Sequence, residues 1–143
     1  MSNFFRTAAV ASASLVVATM VTPAFATTPV NAPTSLNARA AKTTVAPRHK
    51  DTVYLTLRSK KVGVNGEAAD FLVRSRRDTV TGRWSAWQSV AATATTGKGH
   101  YRISVTLPKL GKGKKEQYEV KFSGDKTKHL SASRSQVLTI TAS

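Results

Sequence analysis

The stretch TVYLTLR at residues 52–58 decides the fold class. Its apolar and polar side chains alternate, so Val53, Leu55 and Leu57 fall on one side of an extended chain, where successive side chains point to opposite faces. The stretch YRISVTL at residues 101–107 repeats this period of two. Both stretches are therefore predicted to be strands with one buried face and one solvent-facing face.

Other strands are predicted outward from these two. Residues 71–76, 118–122 and 136–141 show related alternation, and glycine- and asparagine-containing turns separate the segments. No stretch after residue 26 shows an apolar period of 3.6, so helices are not predicted there. The sequence predicts an all-β protein, an antiparallel β-sandwich of about seven strands, with an open barrel as the alternative.

The two tryptophans do not fit one face of an ideal strand. Trp84 and Trp87 lie three residues apart, which indicates a bulge or a change of face near residue 86. We expect at least one of the two rings in the core. Trp87 has a second interpretation, as an exposed platform on which a sugar ring could stack.

The first 26 residues have the organisation of a secretory signal peptide. Residues 1–6 carry one positive charge and no acid, residues 7–21 are small and apolar, and AFA at residues 24–26 has the small-x-small pattern that signal peptidase recognises. The alternative is a buried or amphipathic helix of the folded domain. We predict cleavage after Ala26 and a secreted, extracellular protein, with no transmembrane segment remaining because no later run of about 20 apolar residues follows.

Three segments are expected: a signal peptide at 1–26, a flexible arm at 27–35 and the β-sandwich at 36–143. Residues 27–50 contain four basic residues, no acid and several prolines, which is why this N-terminal stretch is predicted to be basic and its first part, the arm, to be mobile. The chain has no cysteine. A disulfide framework, a thiol nucleophile and cysteine-ligated metal centres are therefore excluded.

The charge balance is strongly positive, with 22 Lys and Arg against 7 Asp and Glu and a formal charge of +15. One interpretation is solubility, since exposed lysines discourage pairing between strand edges. The other is attraction to a polyanion or an acidic protein. Nucleic acid is not favoured as the partner, because export and the absence of a groove-reading helix argue against it.

Three stretches together resemble a bacterial immunoglobulin-like repeat of the kind found along secreted and cell-surface proteins. They are VYLTLRSKKVGVNGEAADFLVRSR at 53–76, RWSAWQSVAATATTGKGHYRISV at 83–105 and EQYEVKFSGDKTKHLSASRSQVLTI at 116–140. The resemblance covers about residues 35–141 and implies an immunoglobulin-like sandwich. Members of that family serve as spacers, adhesive modules, carbohydrate-associated modules and scaffolds, and a domain that stands alone is expected to bind rather than to space.

Candidate catalytic residues are sparse. His49, His100 and His129 lie in separate segments, and the chain has no nucleophile motif beside a histidine. We therefore predict a protein that is not an enzyme and that uses no cofactor and no metal. Glu67 and Asp70 border a strand start, where a loose cation site is the alternative to a purely structural role.

Binding residues are predicted instead from the clustering of basic side chains. If the strands that contain Arg74 and Lys121 are neighbours in one sheet, its outer face carries a basic stripe softened by Glu119. The predicted binding residues are Arg74, Arg76, Arg77, Arg83, Trp87, Lys112, Lys114, Lys115 and Lys121.

These features predict a secreted, non-enzymatic binding or adaptor module. It would engage an extracellular protein partner, or an anionic polymer of the cell envelope, through its basic face and its N-terminal arm. The alternative is a basic effector or antimicrobial protein that acts on anionic cell surfaces without a dedicated partner.

Overall fold

The computed structural model describes residues 31–79 and 81–143 of the protein. The predicted signal peptide and residues 27–30 of the predicted arm lie outside the described residues. The described part contains strands and no helix, and hence no helix that could cross a membrane. Its strands are β1 (Ser35–Ala40), β2 (Thr44–Val45), β3 (Lys50–Ser59), β4 (Val62–Gly63), β5 (Phe71–Arg77), β6 (Gln88–Val90), β7 (Thr93–Ala94), β8 (His100–Thr106), β9 (Lys115–Phe122), β10 (Ser133–Arg134) and β11 (Leu138–Ala142).

The strands form two sheets. The first has the order β1-β3-β8-β7 with β4 beside β3, and the second has the order β2-β11-β9-β5-β6 with β10 beside β9. Neighbouring strands are antiparallel except for β2 and β11, which are parallel. This distribution follows the immunoglobulin arrangement, in which strands A, B, E and D form one sheet and G, F and C the other. The predicted antiparallel β-sandwich is confirmed.

The core lies between the two sheets. Val53, Leu55 and Leu57 of β3 are at most 1% exposed, so the alternation in residues 52–58 identifies the inner face correctly. The rings of Phe71 in the second sheet and Tyr101 in the first have centroids 5.0 Å apart, in a tilted arrangement. Aromatic pairs of this geometry contribute beyond their buried area, so this contact ties the two sheets together.

A tyrosine hydroxyl makes a second tie between the sheets. Tyr118 of β9 is buried, and its O–H donates to the backbone carbonyl of Thr106 at the end of β8, 3.1 Å away. A tyrosine in strand F that bonds back to upstream backbone is a recurrent feature of immunoglobulin-like sandwiches. Burial raises the pKa of this phenol well above its usual range, so the hydroxyl stays protonated and remains a donor.

Two glycines allow the loop before β8 to lie directly on the strand β4. A Cβ added to Gly63 would stand 2.1 Å from the carbonyl oxygen of Lys98, and one added to Gly99 would stand 2.3 Å from the carbonyl oxygen of Leu57. Gly99 also has a φ of +75°, which favours glycine. The side chain of Asn65 accepts a hydrogen bond from the Gly99 N–H at 2.8 Å. These contacts fix the backbone that carries Lys98 beside the first sheet.

Residues 31–35, the last part of the predicted arm, are bonded to the domain. The N–H of Ala32 donates to the carbonyl of His129 at 2.7 Å, and the hydroxyl of Thr34 donates to the carbonyl of Ser131 at 2.8 Å. The hydroxyl of Ser59 donates to the carbonyl of Pro33 at 2.9 Å. In this part of the chain the backbone is therefore held against the sandwich before β1 begins.

Candidate anion-binding site

The outer face of β5 and β9 holds the residues that the sequence predicts as a basic stripe. The strands are neighbours, with Leu72 opposite Lys121 and Arg74 opposite Glu119, as expected. Arg74 donates two hydrogen bonds to Oε1 of Glu119, at 2.7 and 2.9 Å. Arg76 donates from Nε to the side-chain oxygen of Gln117 at 2.7 Å. The two arginines at the centre of this face therefore already have polar partners.

Both tryptophans lie on this outer face. Residues 83–87 run beside β5, because the N–H of Ser85 donates to the carbonyl of Ser75 at 2.8 Å and its Oγ accepts from the Ser75 N–H at 3.0 Å. The guanidinium carbon of Arg74 is 4.5 Å from the ring centroids of both Trp84 and Trp87. The expectation that one ring enters the core is wrong: both are half-buried against arginine, which provides cation–π contacts outside the core.

Trp87 is surrounded by further cations. The Lys121 ammonium lies 5.4 Å from its centroid and the guanidinium carbon of Arg134 lies 5.7 Å from it. A sugar that stacked on this ring would compete with these groups and with Arg74. This geometry favours a structural role for the Trp87 ring, and it leaves Lys121 and Arg134 outside the ion pairs of the described residues.

A basic cleft of about 350 Å³ lies where β5 ends and β9 begins. Its cationic lining residues are Arg77, Lys109, Lys114 and Lys115, and these four define the term basic cleft below. One acidic residue, the exposed Asp78, also lines it. The N–H of Asp78 donates to the carbonyl of Lys115 at 3.2 Å, so the strand end and the lysine-rich loop are brought together by backbone bonding.

Within the basic cleft, one of the four cations has a carboxylate partner. Nε of Arg77 lies 3.0 Å from Oε1 of the buried Glu116. Among the described residues, Lys109, Lys114 and Lys115 take part in no ion pair. Three exposed lysines therefore line a recess whose volume is at the lower end of the range of ligand pockets, about 300–1,000 Å³.

The nine predicted binding residues thus divide into three sets. Arg77, Lys114 and Lys115 line the basic cleft, which also includes Lys109, a residue of the same loop. The face built on β5 and β9 holds Arg74, Arg76, Trp87 and Lys121. Arg83 and Lys112 are exposed and line neither surface.

Sequence reasoning missed a groove on the outer face of the first sheet. The Tyr54 groove, as we call it, has a volume of about 660 Å³, and the residues that line it include Asn37, Arg39, Tyr54, Thr56, Thr95, Thr96, Lys98 and His100. The alternation in residues 52–58 shows which side chains of β3 face outward. The sequence does not show that β1 lies beside β3, because β1 alternates only weakly.

Carboxylates converge at one place in the described part. Ligand oxygens of Glu67, Asp70 and Asp125 lie within 4.8 Å of one another, so these residues could in principle share a cation. The ammonium of Lys128 is already there, 2.6 Å from Oε2 of Glu67 and 2.9 Å from the carbonyl of Asn65. The cluster therefore has its own counter-ion within the chain.

Burial and hydrogen bonds shift the pKa values of this cluster. Burial raises the pKa of the Glu67 carboxyl, an effect that the hydrogen bond from Lys128 opposes. The pKa of Asp125 is lowered, chiefly by the hydrogen bond that its carboxylate accepts from the Lys128 N–H. Hydrogen bonding to Glu67 raises the pKa of the Lys128 ammonium. Each shift has a structural partner, which indicates an internal network that ties residues 65–70 to the turn at 125–128.

The fold and these surfaces define an all-β sandwich protein with a basic exterior. No family model matches the chain, and no curated protein sequence matches it. Among solved structures, the chain is similar to Spo0M, a sporulation control protein from Bacillus subtilis, at 10% sequence identity and a TM-score of 0.46. That match covers 79% of this chain and 50% of Spo0M, so the chain spans half the length of that structure.

Proposed function

We propose that this chain is a secreted, non-enzymatic binding module whose β-sandwich attaches to an anionic polymer of a bacterial envelope. The observation that carries the proposal is the basic cleft, where Lys109, Lys114 and Lys115 line one recess with Arg77 and form no ion pair with any carboxylate of the described residues, that of Asp78 in the same recess included. The signal peptide predicted at residues 1–26 supports a location outside the cell. Opposite charge then provides both the attraction and the rate of encounter.

A lysine-rich cleft suits a polymer better than a single small anion. An ammonium on a flexible stem acts as a point charge with rotatable donors, so it tolerates variable positions of the charges along a polymer. The repeating charges of a polymer also engage several lysines at once, and the local concentration of the second charge rises once the first is bound. Arg77, held close to Glu116, provides the one guanidinium of the cleft at a more restricted position.

Catalysis has less support than binding. His100 shares a hydrogen bond with the hydroxyl of Thr56 at 3.2 Å, but no carboxylate bonds to this histidine among the described residues. A hydroxyl nucleophile needs a base that a third group orients. The proposed binding surface does not include the N-terminal arm, since residues 31–35 are bonded to the domain.

The test is a binding assay with the full mature protein and purified wall teichoic acid as the probe, at several salt concentrations. We expect binding to weaken steeply as salt rises and to fall at least tenfold when Lys109, Lys114 and Lys115 are all changed to Gln. The matched control changes Lys42, Lys60 and Lys126 to Gln, which removes the same charge from exposed positions outside the cleft.

Two outcomes would contradict the proposal. Equal losses in both triple variants would mean that net charge alone, and not the cleft, determines binding. Leakage of phosphatidylglycerol vesicles at protein concentrations that saturate teichoic acid would instead support a membrane-active basic effector, the alternative that the sequence left open.

A further inference from the structure

The first sheet presents a positive outer face that carries no carboxylate. Arg39, Arg58 and Arg102 occupy exposed positions of β1, β3 and β8. The one acidic residue in the strands of this sheet, Asp51, is buried. It accepts hydrogen bonds from the backbone of Lys42 and Thr52, so it does not neutralise the exposed arginines.

The contrast with the second sheet is large. There, Arg74 and Arg76 of β5 are hydrogen-bonded to Glu119 and Gln117 and also lie against tryptophan. The third arginine of β5, Arg77, forms an ion pair with Glu116. None of the three ion pairs of the described residues involves Arg39, Arg58, Lys98 or Arg102. Cations that have no internal partner are the ones available to a ligand.

Two of these cations, Arg39 and Lys98, line a concave surface, the Tyr54 groove. Strand register places Arg39 opposite Tyr54, and Tyr54 in turn opposite Arg102. The guanidinium carbon of Arg39 lies 4.9 Å from the Tyr54 ring centroid, so the ring holds this cation at the edge of the groove. Lys98 lines the groove from the loop that Gly63 and Gly99 hold in place.

The rest of the lining is rich in groups that bond to hydroxyls. Asn37, Thr95 and Thr96 provide an amide and two hydroxyls, and His100 provides a ring nitrogen beside Thr56. No carboxylate lines the groove. Two cations, an exposed aromatic ring and several uncharged polar groups fit a ligand that has many hydroxyls, an apolar ring face and a negative charge.

We propose that the Tyr54 groove binds an acidic saccharide, with Arg39 and Lys98 holding the carboxylates of uronic acid residues. The planar guanidinium forms paired hydrogen bonds with a carboxylate, while Lys98 adds a second charge. Tyr54, with 40% of its surface exposed, lines the groove and holds Arg39 over its ring, where the guanidinium meets the carboxylate of the sugar. The site is separate from the basic cleft and does not depend on the function proposed for it.

The experiment is calorimetric titration of the full mature protein with a tetramer of galacturonic acid. Neutral galactotetraose and inorganic triphosphate are the comparison probes. We expect the uronate tetramer to bind more tightly than either. We expect its affinity to fall at least tenfold in the double variant R39Q/K98Q and to fall similarly in Tyr54→Leu.

The double variant K114Q/K115Q is the matched control, since it removes two charges from the basic cleft and should keep affinity for the tetramer. Loss of binding in this control but not in R39Q/K98Q would overturn the groove proposal while leaving the proposed function of the cleft intact. Absence of binding at millimolar tetramer would overturn it, and so would equal affinity for galactotetraose or triphosphate. We also expect R39Q/K98Q to keep its affinity for teichoic acid, which would show that the groove and the basic cleft bind independently.

Discussion

The ammonium nitrogen of Lys128 lies 2.6 Å from Oε2 of Glu67, a carboxylate that is completely buried. The Lys128 side chain is half-exposed, so its ammonium is in contact with solvent while the Glu67 carboxylate is not. The second oxygen of Glu67 is buried without a hydrogen bond. The pair therefore connects a buried charge of the 65–70 loop to the turn that follows β9, and Lys128 compensates much of the cost of burial.

Changing Lys128 to Met should destabilise the protein by roughly 1–3 kcal/mol, because it leaves a buried charged group unpaired. The measurement is urea denaturation at pH 7. The exposed Lys126 changed to Met is the control and should alter the free energy of unfolding little. The double variant E67Q/K128M should recover part of the loss, and its failure to do so would show that the ammonium stabilises the turn without Glu67.

The pH dependence of stability should carry the signature of Glu67. Its pKa is raised above 4.5 in the folded state, so the folded protein binds more protons than the unfolded chain between 4.5 and the raised value. Stability from this group is therefore present below pH 4.5 and is lost as the pH rises through that window. Denaturation of the wild type and Glu67→Gln across pH 4–7 should show the wild type declining relative to the variant. A difference that is flat with pH would contradict this assignment.

The parts of the fold that could be predicted from the sequence are those set by interactions between residues close together in the chain. The alternation around Val53 and Ile103 reports burial one residue at a time, so the inner faces and the sandwich followed from the sequence. The position of the tryptophans did not, because it depends on Arg74, ten residues before Trp84, and on Glu119 in another strand. A cation that appears free in the sequence can be paired in the fold.

The candidate sites show the same limit. The lysines at 109–115 are close in sequence, so their cluster could be predicted. The fold was needed to show that Arg77 lines the same cleft. The Tyr54 groove draws on β1, β3 and the loop before β8, which only strand pairing brings together. Weak alternation in β1 gave no indication that Arg39 would lie over Tyr54.

Gly63 should tolerate no side chain. An added Cβ would stand 2.1 Å from the carbonyl oxygen of Lys98, and backbone atoms cannot rotate away as the end of a side chain does. We expect Gly63→Ala to destabilise the protein by about 1–3 kcal/mol, the usual cost of overpacking. Gly111→Ala is the control, because its nearest contact is an ordinary one at 3.7 Å with the Lys114 side chain. Equal thermal midpoints for the two variants would refute this explanation of the loop.

Arg74 should not be replaceable by Lys even though the charge is kept. Its guanidinium donates twice to Glu119 and lies 4.5 Å from the centroids of both Trp84 and Trp87, and an ammonium cannot reproduce this planar geometry. We expect Arg74→Lys to destabilise the protein by about 1–2 kcal/mol and to move tryptophan emission to longer wavelength as the rings gain water. Arg134→Lys is the matched control, since its guanidinium lies 5.7 Å from Trp87 and enters no ion pair of the described residues. Unchanged emission in Arg74→Lys would mean that contacts other than those with Arg74 hold the two rings.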